Sequence, residues 1–380
     1  MSGGTGIVVA GVGLEPFVGR SDDPVDVLGR RALLAALADA GIDLEEVGLF
    51  AFGSRFAHPG VGQRVLVPLG PTGATVINTE NACASGSVAL EIATAYVRAG
   101  MAEVAVAVGV ERASELGSSV PLPEWDRLGR AGISHPVRYA LEASRYCAAA
   151  GTEPEALAAV AVKNRAHAVH NPAARFRTAV TLEEVLASPP VAEPFTRLQC
   201  CANADGAAAV VVTTPERART LDAAEPVRLL ALAVGSGQRA DRVPDPPITA
   251  RLAARAFAEA GLSPDDIDVA EVYDAFTVLE VLGLEALGFA APGTAAKRVA
   301  AGEFALGAGG LVVNPGGGLL GRGHPLGATG LAQFVEIVDQ LRGRAGDRQV
   351  NGARVGLVQT LGGNVRDLEA NAAAVAVLAP

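Results

Sequence analysis

Cys83 and His324 are the two residues whose surroundings point most directly to chemistry. Cys83 lies in Asn78-Thr-Glu-Asn-Ala-Cys83-Ala-Ser-Gly-Ser87, where a β-rich run passes into a stretch of small residues that reads as a helix. A cysteine at such a turn sits at a helix N-terminus, where unpaired N–H groups and the macrodipole stabilise a thiolate and lower its pKa. The same amides suit the oxyanion of a tetrahedral intermediate. Ala82, Ala84, Ser85 and Gly86 leave room for a substrate to reach the sulfur. The competing reading is a small buried core cysteine. His324 lies in Asn314-Pro-Gly-Gly-Gly-Leu-Leu-Gly-Arg-Gly-His324-Pro-Leu-Gly-Ala-Thr-Gly330. That run is glycine-rich but lacks the GxxxxGK[ST] spacing of a phosphate loop. Pro325 biases His324 toward an extended backbone, and a helix beginning near Ala328 puts the imidazole at a helix mouth. A thiol and an imidazole that meet there make a nucleophile and its base.

The elements that must position them are strands alternating with helices. Apolar runs at Gly6–Val12, Ala74–Asn78, Val104–Val110, Ala207–Thr213, Val269–Tyr273 and Val355–Thr360 read as buried strands. Ala-rich segments at Asp26–Ala40, Gly86–Ala99, Ile248–Ala260 and Thr329–Arg342 read as helices. The alternation predicts βαβ units and a mostly parallel, covered sheet. Two internal echoes add a duplication. ALADAGIDLEEVGLF (residues 36–50) returns as AFAEAGLSPDDIDVA (residues 256–270), and ASGSVALEIATAYVRA (residues 84–99) as ATGLAQFVEIVDQLRG (residues 328–343). The halves fall at residues 1–225 and 226–380, and the symmetry brings the Cys83 and His324 loops to the centre of the molecule. Residues 115–190 differ in composition, holding Trp125, Tyr139, Tyr146, His135, His167 and His170, and read as an insertion lying over one face.

Composition narrows the function. The chain has 380 residues, 50% hydrophobic, 4% aromatic and 19% charged, with a formal net charge of -10. That length supports a large core without disulfide or metal staples. An acidic balance argues against nucleic-acid or anionic-membrane partners. The four cysteines (83, 147, 200 and 201) form no CxxC, and no apolar run reaches membrane-spanning length, so a reduced, cytoplasmic protein with no leader is the expectation. His167 and His170, spaced i, i+3, lack a third metal ligand and read as a solvated or pocket-edge helix face. Asp205 reads as a turn or cap residue; Glu80 and Glu111 either orient the Cys83 loop or cap it.

NACASG (residues 81–86) and GHPLGATG (residues 323–330) resemble the nucleophile and GHP motifs of the thiolases, within a superfamily that includes ketoacyl synthases. VAVGVERAS (106–114), VKNRAHAVHNPAARFR (162–177) and LQCCANADGAAAVVV (198–212) resemble the sterol-carrier-protein type and its bacterial and archaeal relatives. The resemblance spans residues 5–375. It implies a five-layer αβαβα fold of two similar halves with an inserted loop domain, in a homodimer or tetramer. It implies Cys83 as the acylated nucleophile, His324 as its activator and thioester-oxygen ligand, and the N–H groups of Cys83 and Gly362 as an oxyanion hole. Coenzyme A or acyl-CoA is then substrate, with no metal and no covalent cofactor. Lys163, Arg165, Arg175 and Arg177 are candidates for the nucleotide phosphates of coenzyme A, against ordinary surface charge.

The usual second cysteine is absent. Thr360 stands in the place of the CxGG cysteine, and Ala275 in the place of the HDCF cysteine, within Tyr273-Asp274-Ala275-Phe276. Cys200 and Cys201 belong to a motif that looks structural in relatives, and Cys147 has no motif context. A Claisen step still needs an acid/base near the α-carbon, which leaves His324, Asp274, Tyr273 or a water they hold. The YDxF segment also resembles retro-aldolases of steroid side-chain breakdown, and the DAF segment resembles archaeal-type thiolases that work with a small zinc-ribbon and OB-fold partner. Three readings follow: a thiolase-type acyltransferase, a carbon–carbon lyase acting on a CoA thioester, and a degenerate acyl-CoA-binding subunit.

Overall fold

The computed structural model describes residues 5–70, 72–117, 127–221, 225–238, 247–363 and 370–380; Trp125 lies outside them. Among the described residues there are twelve strands: β1 (Ile7–Val18), β2 (Leu49–Gly53), β3 (Thr75–Thr79), β4 (Val104–Arg112), β5 (Pro190–Ala192), β6 (Phe195–Thr196), β7 (Asp205–Thr213), β8 (Val227–Gly235), β9 (Val269–Val272), β10 (Val312–Val313), β11 (Gly356–Gly362) and β12 (Ala372–Ala379). β5 and β6 form a small hairpin; the other ten make one sheet in the order β10-β9-β11-β12-β8-β1-β7-β4-β2-β3. The duplication is visible in that order. Outward from the centre, β1-β7-β4-β2-β3 repeats as β8-β12-β11-β9-β10, and a short β1–β8 pairing through Ile7 and Leu229 joins the halves.

The sheet is mixed, which corrects the expectation of a mostly parallel one. β2–β3, β2–β4, β9–β10 and β9–β11 are parallel; β1–β7, β1–β8, β4–β7, β8–β12 and β11–β12 are antiparallel. The reason is local. Only residues 363–371 lie between β11 and β12, fewer than the dozen or so that a parallel crossover needs, so these two strands pair antiparallel.

Helices complete five layers. Val25–Ala40 covers β1, β4 and β7 on one outer face, and Ile248–Ala260 covers β8 and β12 on the other. Between the two halves of the sheet lie Ser85–Arg98 and Leu326–Leu341, packed on each other. The Leu326–Leu341 helix is buried on nearly every side, as a central helix must be. Its buried Gln333 donates to the Gln359 carbonyl at 3.0 Å and its buried Glu336 accepts from Arg348 at 2.9 Å, so these polar groups are not orphaned.

Four glycines let the central helices start where they do. A Cβ at Gly109 would stand 2.4 Å from the Gly327 carbonyl oxygen, and one at Gly86 2.6 Å from the same atom. A Cβ at Gly53 would meet the Ser85 carbonyl at 2.4 Å, and one at Gly327 the Gly53 carbonyl oxygen at 2.7 Å. Backbone therefore lies on backbone at the N-termini of both helices. Gly327→Ala should cost about 1–3 kcal/mol by overpacking. A lowered urea midpoint with an unchanged m-value checks it, and a midpoint equal to wild type would show that the contact is not tight.

Candidate active site

β3 ends two residues before Asn81, and the chain then reverses into the Ser85–Arg98 helix. The reversal passes through Ala82 at φ 52°, a left-handed conformation that costs a non-glycine residue about 1–2 kcal/mol. Ser85 and Glu80 hold it. Ser85 Oγ accepts from the Asn81 N–H at 2.8 Å and donates to the Ala82 carbonyl at 2.6 Å, while Glu80 accepts from the Ala82 N–H at 2.8 Å. Cys83 follows, buried at 8% exposure.

His324 reaches the same point from the other half. Its N–H donates to the Ala202 carbonyl at 2.9 Å, and Nδ1 lies 2.7 Å from Thr329 Oγ1, one turn into the following helix. The Thr329 hydroxyl itself donates to the Pro325 carbonyl at 3.2 Å, so its oxygen receives the Nδ1 proton. Nε2 is then the unprotonated nitrogen. It faces Cys83 Sγ at 3.2 Å and the Tyr273 hydroxyl, also at 3.2 Å.

Burial sets the charge state. It pushes His324 down to about 3, with Arg322 adding to the effect. It pushes the Cys83 thiol up, outweighing the downward pull of Tyr273 and Arg55. Burial therefore opposes the thiolate that the helix start alone would stabilise and favours a neutral thiol beside a neutral imidazole.

The cavity over this pair is about 720 Å³. Tyr139, Phe276 and Leu326 supply part of its apolar wall, with Tyr139 and Phe276 rings 4.8 Å apart. The inserted segment contributes Ser134, His135, Tyr139, Arg175 and Pro190 to the lining. Among the described residues four arginines line it (Arg20, Arg55, Arg175 and Arg197) and no carboxylate does, although the whole chain carries a net charge of -10.

Not every candidate residue meets there. Tyr273 does; Asp274 does not. Successive side chains leave a strand end on opposite sides, and Asp274 turns beneath the cavity. There it accepts from the Leu319 and Leu320 N–H groups at 2.7 and 3.2 Å and from Asn164 at 2.7 Å. Burial and the neighbouring Glu280 push its pKa up. Thr360 is locked in the interior, donating to Gln333 at 2.6 Å and accepting from Ser87 at 3.2 Å. Gly362 packs on the nucleophile turn, where a Cβ would stand 2.5 Å from the Asn81 carbonyl oxygen. Asn364, at the end of that stretch, lies outside the described residues.

Several side chains read as surface are internal. His167 is buried, donating from Nδ1 to the Asn314 carbonyl and accepting the Leu306 N–H at Nε2, both at 3.0 Å; both ring nitrogens are engaged, and it is no solvated face. Lys163 pairs with the buried Glu280 at 3.1 Å, and Arg165 donates to the Thr178 carbonyl at 3.0 Å, so neither is surface charge. Arg175 lines the cavity and Arg177 is exposed. Asp205 pins two loops by accepting from Ser21 and Ser114, each at 2.8 Å. Glu111 does the same for the Cys83 side, accepting from the Arg55, Phe56 and Gly327 N–H groups at 2.8, 3.0 and 3.2 Å. Arg55 and Cys201 enter the cavity without having been marked as site residues. Arg55 stands alone in a loop, and Cys201 is masked by its adjacent twin.

Comparisons with known proteins agree with this geometry. Residues 8–216 match the family model "Thiolase, N-terminal domain", and residues 238–378 match "Thiolase C-terminal domain-like". The chain is 37% identical over 369 residues to benzoylsuccinyl-CoA thiolase subunit BbsB of Thauera aromatica, covering 95% of each. It is 36% identical over 345 residues to acetyl-CoA acetyltransferase of Methanothermobacter thermautotrophicus, covering 87% of this chain and 89% of that one. Human sterol carrier protein 2 is 36% identical over 384 residues, covering 94% of this chain and 70% of its own length. Among solved structures, the Ltp2-ChsH2(DUF35) aldolase superposes with TM-score 0.85 at 28% identity, covering 99% of this chain and 98% of that one. Human mitochondrial 3-ketoacyl-CoA thiolase in complex with CoA shares the fold, with TM-score 0.73 at 19% identity over 98% of this chain and 97% of that one. The chain belongs to the thiolase family and is an acyl-CoA acyltransferase.

Proposed function

We propose that the protein cleaves a 3-oxoacyl-CoA with coenzyme A, or runs the reverse Claisen condensation, through an acyl group carried on Cys83. The observation that carries this is the 3.2 Å contact between Cys83 Sγ and the unprotonated Nε2 of His324 inside the cavity. As the sulfur attacks the 3-oxo carbon, Nε2 takes the thiol proton, so charge appears only with bond formation. The carbon–carbon bond then breaks and expels the enolate of an acyl-CoA. In the second half-reaction coenzyme A takes the acyl group and Cys83 recovers its proton from the imidazolium. The N–H groups of Cys83 and Gly362 would hold the oxyanion, a role supported by how closely Gly362 packs on the nucleophile turn. Arg20, Arg175 and Arg197 would meet the phosphates of coenzyme A at the mouth.

The main rival is a retro-aldolase. Tyr273, bonded to the same imidazole nitrogen, and the likeness to the Ltp2-ChsH2(DUF35) aldolase favour it; the thiol at Cys83 has no part in it. That neighbour's name also supports a small partner protein, for which a zinc-ribbon and OB-fold subunit remains our proposal. A homodimer is supported by the place of β3 as the last strand of the sheet, with none of its residues buried by the rest of the chain.

Intact-protein mass after mixing with acetyl-CoA or acetoacetyl-CoA tests the main reading. Wild type should gain an acetyl group and Cys83→Ala none, with thiolysis falling by ~10⁴-fold or more. A wild type that stays unmodified would sink the thiolase reading and leave the aldolase. A pH profile tests the neutral pair. Because the Cys83 pKa is raised, its thiolate fraction is small at neutral pH and grows about tenfold per pH unit. Iodoacetamide alkylation of Cys83 should therefore climb without a plateau from pH 6 to 8. A plateau there would show a preformed thiolate–imidazolium pair.

A further inference from the structure

We propose that Cys201 is the second acid/base of the reaction, the group that gives and takes the proton at the substrate's α-carbon. The proposal rests on the thiolase reading above. The two positions where relatives would carry that cysteine are disqualified by their own surroundings. Thr360 is locked between Gln333 and Ser87 in the interior, and Ala275 has no proton to give. Asp274 is turned beneath the cavity, and no Asp or Glu lines it among the described residues.

Cys201 lines the same cavity as Cys83, Tyr273 and His324. Its backbone is held between the two segments that form the site. The Cys201 N–H donates to the Ala275 carbonyl at 2.8 Å, and the carbonyl of the next residue, Ala202, accepts the His324 N–H at 2.9 Å. Bridges at Cys200–Phe276 and Asn203–His324 continue the strap on either side. The thiol is thus carried on rigid backbone, as a proton-transfer group must be. Its neighbour Cys200 also lines the cavity, but its Sγ donates to the Thr196 carbonyl oxygen at 3.6 Å. Cys147 is not among the lining residues. Besides the Cys83–His324 pair, Cys200 and the arginines, three other titratable side chains among the described residues face the cavity: Tyr139, Tyr273 and His135. The Tyr273 hydroxyl is bonded to His324 Nε2, and His135 stands half-buried at the start of its helix in the inserted segment.

The proton balance closes. In cleavage, Cys83 gives its proton to His324 as its sulfur forms the bond to the 3-oxo carbon. When the carbon–carbon bond breaks, its electron pair stays on the enolate carbon. That carbon takes the Cys201 proton, and the S–H pair remains on the Cys201 sulfur. The Cys201 thiolate next takes the proton of the incoming coenzyme A thiol, whose sulfur attacks the acyl-Cys83 carbonyl. Cys83 leaves as thiolate and is reprotonated by the His324 imidazolium. Burial holds the Cys201 thiol well above its ordinary pKa, so it is protonated when cleavage begins.

The two half-reactions separate the roles. The full chain is incubated with acetyl-CoA in D₂O, following acetylation by intact mass and deuterium entry into the acetyl methyl group by NMR. Cys201→Ala and Cys201→Ser should lose at least ~100-fold in deuterium exchange but only about tenfold or less in acetylation, where Cys201 merely protonates a departing coenzyme A thiolate that water can also protonate. Exchange surviving within about threefold in either variant overturns the proposal. So does a loss of exchange matched by an equal loss of acetylation in both. A wild type that acetylates but does not exchange overturns it as well. If Tyr273→Phe or His135→Asn acetylates normally but loses exchange while Cys201→Ala still exchanges, the role passes to that residue. A wild type that takes no acetyl group is a separate result, the failure of the thiolase reading itself.

Discussion

Everything in the site depends on one constraint: two helices from different halves must begin within van der Waals contact of each other. The Gly327 carbonyl oxygen lies where a Cβ on either Gly86 or Gly109 would collide, and Gly53 faces the start of the Ser85–Arg98 helix as closely. Any side chain at these positions would push the Leu326–Leu341 helix away from the nucleophile helix. The 3.2 Å separation between Cys83 and His324 is the difference between a hydrogen bond and a void, so it tolerates almost no such movement. Small residues are not merely filler in this core. They set the distance at which the chemistry happens.

Holding loops that tightly requires buried polar anchors, and each has a specific partner. Glu111 gathers three backbone N–H groups from both sides of the nucleophile turn. Arg322 and Glu271 form a fully buried pair at 3.0 Å beneath the His324 loop, and Lys163 with Glu280 forms another at 3.1 Å. Such pairs add little net stability once desolvation is counted, but removing one partner strands a buried charge. Their role is to specify loop geometry. They also explain the depressed His324, which feels Arg322 from below as well as its own burial.

The architecture was largely legible in the sequence because its two echoes sit on long, strongly patterned segments. Cys83 and His324 were legible for a related reason: each stands where a small-residue turn opens a helix. What was not legible follows from composition. β12 reads AAAVAVLA, which carries no β-branched signature beyond its two valines, and β8 was likewise missed. Without those strands the antiparallel pairings β1–β8, β8–β12 and β11–β12 could not be inferred. Lys163, Arg165 and His167 look like a polar helix face because three of them fall within five residues. Only the insertion's contacts with the Asn314 and Thr178 carbonyls and with Glu280 reveal them as interior. Asp274 was misjudged for a simpler reason. Adjacency to Tyr273 in a strand end places it on the opposite side.

A duplicated fold also explains how a catalytic group can sit elsewhere in the sequence while the site stays in place. The cavity lies where the halves meet, so several backbone segments converge on it: the nucleophile turn, the end of β9, the end of β11, the His324 loop and the 200–203 strap. Any of these can present a side chain to a substrate bound over Cys83. The β11 end offers only a locked Thr360, and the β9 end offers Tyr273, already bonded to His324, and Ala275 beside an averted Asp274. Cys83 and His324 have no such freedom, because the glycine contact permits only those two positions to meet. The geometry thus separates a fixed nucleophile–base pair from a proton-transfer group whose backbone address is open.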